Sequence, residues 1–139
     1  MSQEDLQAEK EVTLRAYEAW NARDFDTCIA LIDPEVEWSF SGSAQMPGTD
    51  VVYCGHEGVR RFWREFVDPW ESLRIEITDT REAGDTLVVF VKFHGVGMGS
   101  GVELTAPFVH LMDFRNRKLL RFRAYADRDK ALEAAGLAE

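Results

Sequence analysis

Apolar positions recur at helical spacing through Leu6, Val12, Leu14, Ala16, Tyr17, Ala19 and Trp20, and the pattern stops near Asn21. Ser2 is placed to cap this helix, with Asp5 three residues on, near the helix's positive end. Asp24 then caps a short second helix carrying Phe25, Cys28, Ile29, Leu31 and Ile32, which Asp33-Pro34 ends because a residue before proline avoids the helical region. Val36, Trp38 and Phe40 alternate with Glu37 and Ser39, the mark of a half-buried strand. Residues 41–55 hold Gly42, Pro47, Gly48 and Gly55 with little periodicity and read as a long loop, a mouth or lid. Residues 56–70 read as a third helix: Val59, Phe62, Trp63 and Phe66 share one face, Arg60, Arg61, Arg64 and Glu65 the other, and Asp68-Pro69 breaks it.

Strands follow. Residues 73–77 alternate, and residues 87–93 are a nearly unbroken apolar run, as in an inner strand covered by helices. Gly95, Gly97, Gly99 and Gly101 form a flexible or bulged turn. Residues 102–114 are a long strand, and Asn116-Arg117 turns into a last strand over 119–126. Residues 127–133 read as a short helix with Gly136 near its end. Three helices and an early strand before four strands predict an α+β fold with helices on one side of a mixed or antiparallel sheet.

Composition narrows the function classes. A chain of 139 residues, 45% hydrophobic, suits one domain over 1–139, large enough to bury about 70% of its unfolded surface. A net charge of −9 repels a phosphate backbone or an anionic membrane, so neither nucleic acid nor membrane is an expected partner. No run approaches the ~18 apolar residues of a membrane span. The polar, acidic start is unlike a signal peptide, and a cytoplasmic protein is expected. Cys28 and Cys54 lie far apart and the three histidines lack ligand spacing, so neither a metal nor a cofactor is expected; Cys28 reads as a buried, reduced thiol.

Several phrases carry a resemblance: Tyr17-Glu18-Ala19-Trp20-Asn21-Ala22-Arg23-Asp24, Gly55-His56-Glu57-Gly58-Val59-Arg60-Arg61-Phe62, Phe108-Val109-His110-Leu111-Met112, Arg123-Ala124-Tyr125-Ala126-Asp127 and Ala134-Ala135-Gly136-Leu137. In these, over about residues 6–137, the chain resembles the SnoaL-like branch of the nuclear transport factor 2-like (ketosteroid isomerase-like) superfamily. The resemblance implies a cone-shaped curved sheet wrapped around three N-terminal helices (the cystatin-like fold), one deep pocket, and often a homodimer through the outer sheet face. It does not imply one activity, because the superfamily spans isomerases, cyclases, hydrolases and binders.

Matched position by position, the superfamily's chemistries lose their residues. The isomerase's oxyanion tyrosine falls on Ala16, with Tyr17 one place off. Its proton-moving aspartate falls near Trp38 to Phe40, and its oxyanion aspartate on Val109. The cyclase's catalytic aspartate falls on Ala124, as does the final-strand acid of a limonene-epoxide-hydrolase-like site. Asp127 keeps an acid three residues later.

If Ala124 faces the pocket, so do Phe122 and Ala126, while Arg121, Arg123 and Tyr125 face outward. The same matching turns Val109 and Leu111 inward and His110 outward. The expected lining is Trp20, Trp38, Phe62, Trp63, Leu87, Val89, Val91, Phe93, Val109, Leu111, Phe122 and Ala124, with Trp38 and Trp63 near the mouth. The candidate catalytic residues are Tyr17, His94, His110 and Asp127. Several of these have simpler readings: His110 at a subunit interface or hydrogen-bonded in the sheet, His94 at a solvent-exposed mouth, and Asp127 capping the last helix; His56 belongs to the cap of the third. Glu103, Asp113 and the Arg60/Arg61/Arg64 run read as solvated faces. These residues predict a protein that binds a small apolar or aromatic ligand in a deep apolar pocket. The alternatives are an isomerase, polyketide cyclase or hydrolase-type enzyme acting on such a molecule, and a dimerising accessory module using His110, Arg121, Arg123 and Tyr125.

Overall fold

Asn21 ends the first helix and also begins the tertiary structure. In the computed structural model, which describes residues 3–41, 51–97, 99 and 101–137, α1 (Gln3–Asn21) is followed by α2 (Phe25–Ala30), β1 (Ile32–Ser41) and β2 (Val51–Cys54). Then come α3 (Gly55–Phe66), β3 (Trp70–Ala83), β4 (Thr86–Gly97), β5 (Glu103–Arg115), β6 (Lys118–Tyr125) and α4 (Arg128–Ala135). The Asn21 side chain accepts from the Ile75 N–H at 2.8 Å and donates to the Ile75 carbonyl at 3.0 Å. An amide thus fills the ladder position that edge strand β3 would otherwise leave open.

The six strands form one mixed sheet in the order β2-β1-β6-β5-β4-β3, antiparallel throughout except for the parallel β1–β6 pair. Register shifts at Ile32/Glu37, Ile77/Asp79 and Asp113/Phe114 bend the strands and curl the sheet around α1 and α3. Proline donates no ladder bond, and Pro34 sits inside the first of these shifts.

Several boundaries differ from the sequence reading. Ser2 lies outside the described residues. The second helix ends at Ala30, and Asp33-Pro34 belongs to β1. Of the expected loop over 41–55, residues 51–54 are a strand paired with β1 and 42–50 lie outside the described residues. The third helix stops at Phe66, before Asp68-Pro69. Gly95 and Gly97 lie within β4, and the turn proper includes Gly99 and Gly101. Gly58 allows a close approach: a Cβ there would meet the Tyr53 backbone carbon at 2.8 Å. Asn116 and Arg117, both at positive φ, make the two-residue β5–β6 hairpin turn.

The sheet is covered on both sides, which corrects the expectation of helices on one side only. On the concave side Leu87, Val89, Val91, Met112, Phe122 and Ala124 pack with Tyr17, Val59 and Phe62. On the convex side Val88, Phe90, Val109 and Leu111 pack under Ala131 of α4. The unbroken apolar run of β4 follows, since both of its faces are buried. Asp127 holds α4 in place by accepting from the N–H groups of Asp129 and Lys130, and Gly136 closes it in the left-handed region.

Candidate functional site

A cavity of about 160 Å³ lies between the helices and the concave sheet face. Thr13, Ala16, Tyr17 and Trp20 of α1 form one wall, and Val59, Phe62, Trp63 and Phe66 of α3 a second. The sheet contributes Trp38, Phe40, Ile75, Val91, Phe93, Phe108, His110, Met112, Phe122 and Ala124. Leu104, 47% exposed, marks its outer edge. All four tryptophans of the chain line it: Trp20, Trp38, Trp63 and Trp70. Among the described residues, the lining contains no Asp, Glu, Lys or Arg.

Its polar centre joins two residues 93 positions apart. The Tyr17 hydroxyl lies 2.5 Å from His110 Nδ1, and the two rings are nearly parallel, with centroids 5.8 Å apart. Phe122 packs against the imidazole at 4.7 Å. His110 is 6% exposed and Tyr17 7%. Removal from water disfavours the charged form of each: the His110 imidazole is lowered from 6.5 to about 3, and the Tyr17 phenol is raised above its ordinary value. At neutral pH the pair is therefore uncharged.

The other polar groups of the lining are mostly spent. The Thr13 hydroxyl donates to the Glu9 carbonyl at 2.8 Å. The Cys28 thiol donates to the Ala16 carbonyl at 3.5 Å, and burial pushes it up to about 12, so it stays protonated. The Trp20 and Trp38 indoles stack at 5.9 Å, and Trp38 stacks on Phe122 at 4.0 Å. The Nε1–H groups of both tryptophans are buried without an acceptor among the described residues.

Of the four candidate catalytic residues, the fold brings Tyr17 and His110 together inside and leaves two outside. His94 lies on the other side of β4 from Phe93, with Nε2 3.0 Å from a Glu76 carboxylate oxygen. Asp127 is spent on the α4 cap. Of the expected ligand contacts, Trp20, Trp38, Phe62, Trp63, Val91, Phe93, Phe122 and Ala124 line the cavity. Leu87 and Val89 face the same side, in the core behind it. Val109 and Leu111 do not line it: they face the opposite side, under α4.

The inverted strand has one cause. Directly opposed residues of an antiparallel pair share a face, and Ala124 is opposed by His110, Phe122 by Met112. An inward Ala124 therefore requires an inward His110, not an inward Val109. Phe108 and Met112, missed in the sequence, come in by the same parity; their signal was the alternation Phe108, His110, Met112, masked by the equally apolar Val109 and Leu111. His56 likewise does not cap α3: its Nε2 contacts the Ile32 carbonyl at 2.8 Å and ties the first turn to β1. Asp113 meets Arg123 at 3.5 Å and the Thr86 hydroxyl at 2.5 Å, away from the cavity.

The model of the SnoaL-like domain matches residues 13–122, a span that holds both walls and the Tyr17–His110 pair. The chain belongs to the SnoaL-like family. Among solved structures, TerC, co-crystallised with polyporic acid, is similar at 24% identity and a TM-score of 0.75, over 93% of this chain and 98% of that one. A nuclear transport factor 2-like protein of unknown function from Burkholderia pseudomallei matches at 23% identity and 0.75, over 96% and 97%. A Catenulispora acidiphila protein with a ketosteroid isomerase-like fold, in complex with trimethylamine, matches at 16% identity and 0.71, over 91% and 93%. At these identities the likeness is one of fold. None of the curated proteins matches the sequence. Among the described residues, no helix is long and apolar enough to cross a membrane.

Proposed function

We propose that this SnoaL-like protein binds a small, uncharged, apolar or aromatic molecule in the cavity between α1, α3 and the sheet. The observation that carries the reading is a lining that, among the described residues, has no carboxylate or cation around a buried, neutral Tyr17–His110 pair. An ion entering such a site would lose its hydration without gaining an opposite charge. The volume suits a single ring with a short substituent, since an apolar cavity of about 150 Å³ accepts benzene. TerC, of the same fold, was crystallised with an organic ligand, which supports the reading without naming the molecule bound here.

Toluene titrated into ¹⁵N-labelled protein tests it. The indole N–H signals of Trp20, Trp38, Trp63 and Trp70 are expected to shift together and saturate, and Ala124→Trp, which fills the cavity, to abolish the effect. Absence of any saturable shift up to the solubility of toluene refutes the proposal.

The inward Tyr17 and His110 are the observation that favours a second reading, an isomerase, cyclase or hydrolase acting on a similar molecule. That reading is the weaker. Proton abstraction needs a base matched to working pH, and an imidazole lowered to about 3 accepts a proton poorly. A homodimer through the outer sheet face is also part of the proposal. It would use what α4 leaves open there, including the exposed Lys92 and Arg121, and a monomer mass by sedimentation at all concentrations would refute it.

A further inference from the structure

The bond between Tyr17 and His110 can be drawn in two ways, and they leave the cavity with different chemistry. If the phenol donates to Nδ1, the imidazole proton sits on Nε2, and one donor, Nε2–H, remains unmet. If Nδ1–H donates to the phenol oxygen, two groups remain unmet, the phenol O–H and the bare Nε2. Neither residue has a further hydrogen-bond partner among the described residues, and burial makes every unmet polar group costly. The first arrangement is therefore the stable one in the empty protein.

The indole N–H groups of Trp20 and Trp38, also cavity residues, are buried without acceptors. The unspent hydrogen-bonding capacity of this lining is thus on the donor side, with His110 at its centre. Among the described residues, no carboxylate lines the cavity to meet a cation, and no lysine or arginine to meet an anion.

We infer that the ligand carries a neutral oxygen acceptor, an aryl carbonyl, and that His110 Nε2–H donates to that oxygen while Tyr17 holds the imidazole in the donating tautomer. This rests on the reading of the cavity as a ligand site and adds the class of molecule that the site selects. In it His110 is the specificity-determining residue and Tyr17 a positioning residue. The rings of Trp38, Phe62 and Phe122 supply the apolar contact that any single-ring molecule would share.

An isosteric pair of probes separates the hydrogen bond from the apolar contact. Acetophenone and α-methylstyrene differ by a carbonyl oxygen against a methylene group. Calorimetric titration of the whole chain is expected to show acetophenone bound roughly three- to tenfold more tightly, the worth of one buried hydrogen bond. In His110→Phe the two are expected to bind alike. Benzoate and phenyltrimethylammonium, of similar size but charged, are expected to bind more weakly than either.

Long-range ¹H–¹⁵N correlation on the unmutated protein reads the tautomer directly, with Nε2 protonated and Nδ1 bare. That measurement keeps the inference open to refutation should His110→Phe fail to fold. Equal affinities of the isosteric pair, tighter binding of either ion, or a proton found on Nδ1 would overturn the inference while leaving the binding reading intact. Failure of every probe to bind would overturn both.

Discussion

Acid should weaken this protein through His110 in a way that one substitution can isolate. Burial lowers its pKa from 6.5 to about 3, with no carboxylate among the described lining residues to oppose the effect. Between those values the unfolded chain binds a proton that the folded chain does not. The contribution is fully present above pH 6.5, is lost as pH falls toward 3, and levels off below that. Each unit is worth about 1.4 kcal/mol, so going from pH 7.5 to 4.5 removes about 3 kcal/mol, roughly the two units below 6.5. That is a large share of the about 5–15 kcal/mol that holds a typical domain together. The assay is urea unfolding of the protein and of His110→Phe at several pH values across that range. The variant loses the Tyr17 hydrogen bond, which lowers its stability at every pH. Its curve against pH should nevertheless be flatter by about 3 kcal/mol over the interval. Carboxylates such as Asp33 and Glu65, each held low by an arginine, titrate in both proteins and cancel in the difference. Parallel stability curves for the two proteins would refute the buried, neutral imidazole.

Two further substitutions test the scaffold. Asn21→Ala leaves both backbone groups of Ile75 without their partner; a loss of about 1–3 kcal/mol is expected, with faster hydrogen exchange at the Ile75 amide, and unchanged exchange there would count against the bridge. Asp127→Ala removes the α4 cap and should lower stability by about 1 kcal/mol while leaving toluene affinity as it was, whereas weakened binding would return Asp127 to the site.

Features with a local cause could be read from the chain alone. Asp24 and Asp127 sit at helix starts because their side chains reach N–H groups two or three residues away, and both cap as expected. The apolar face of α3, Val59, Phe62 and Trp63, follows from 3.6-residue spacing, and the Asn116-Arg117 turn from chain connectivity. The SnoaL-like phrases carried the cone because they span the elements that build it. In α1 the local signal was weaker. Its buried positions run Glu9, Thr13, Tyr17, Ala19, half of them polar, while Leu14 is 54% exposed.

Which face of β5 points inward came from strand pairing, not from local pattern. Both parities of that strand are apolar, because α4 buries one side and the cavity lies on the other, so hydrophobicity could not choose between them. Strand register made the choice by setting His110 opposite Ala124. That pairing moved the one inward-facing histidine from an expected outer surface to the middle of the cavity, against a tyrosine 93 residues earlier. Such a contact has no sequence signature, since it exists only once a helix face and a strand face have been pressed together.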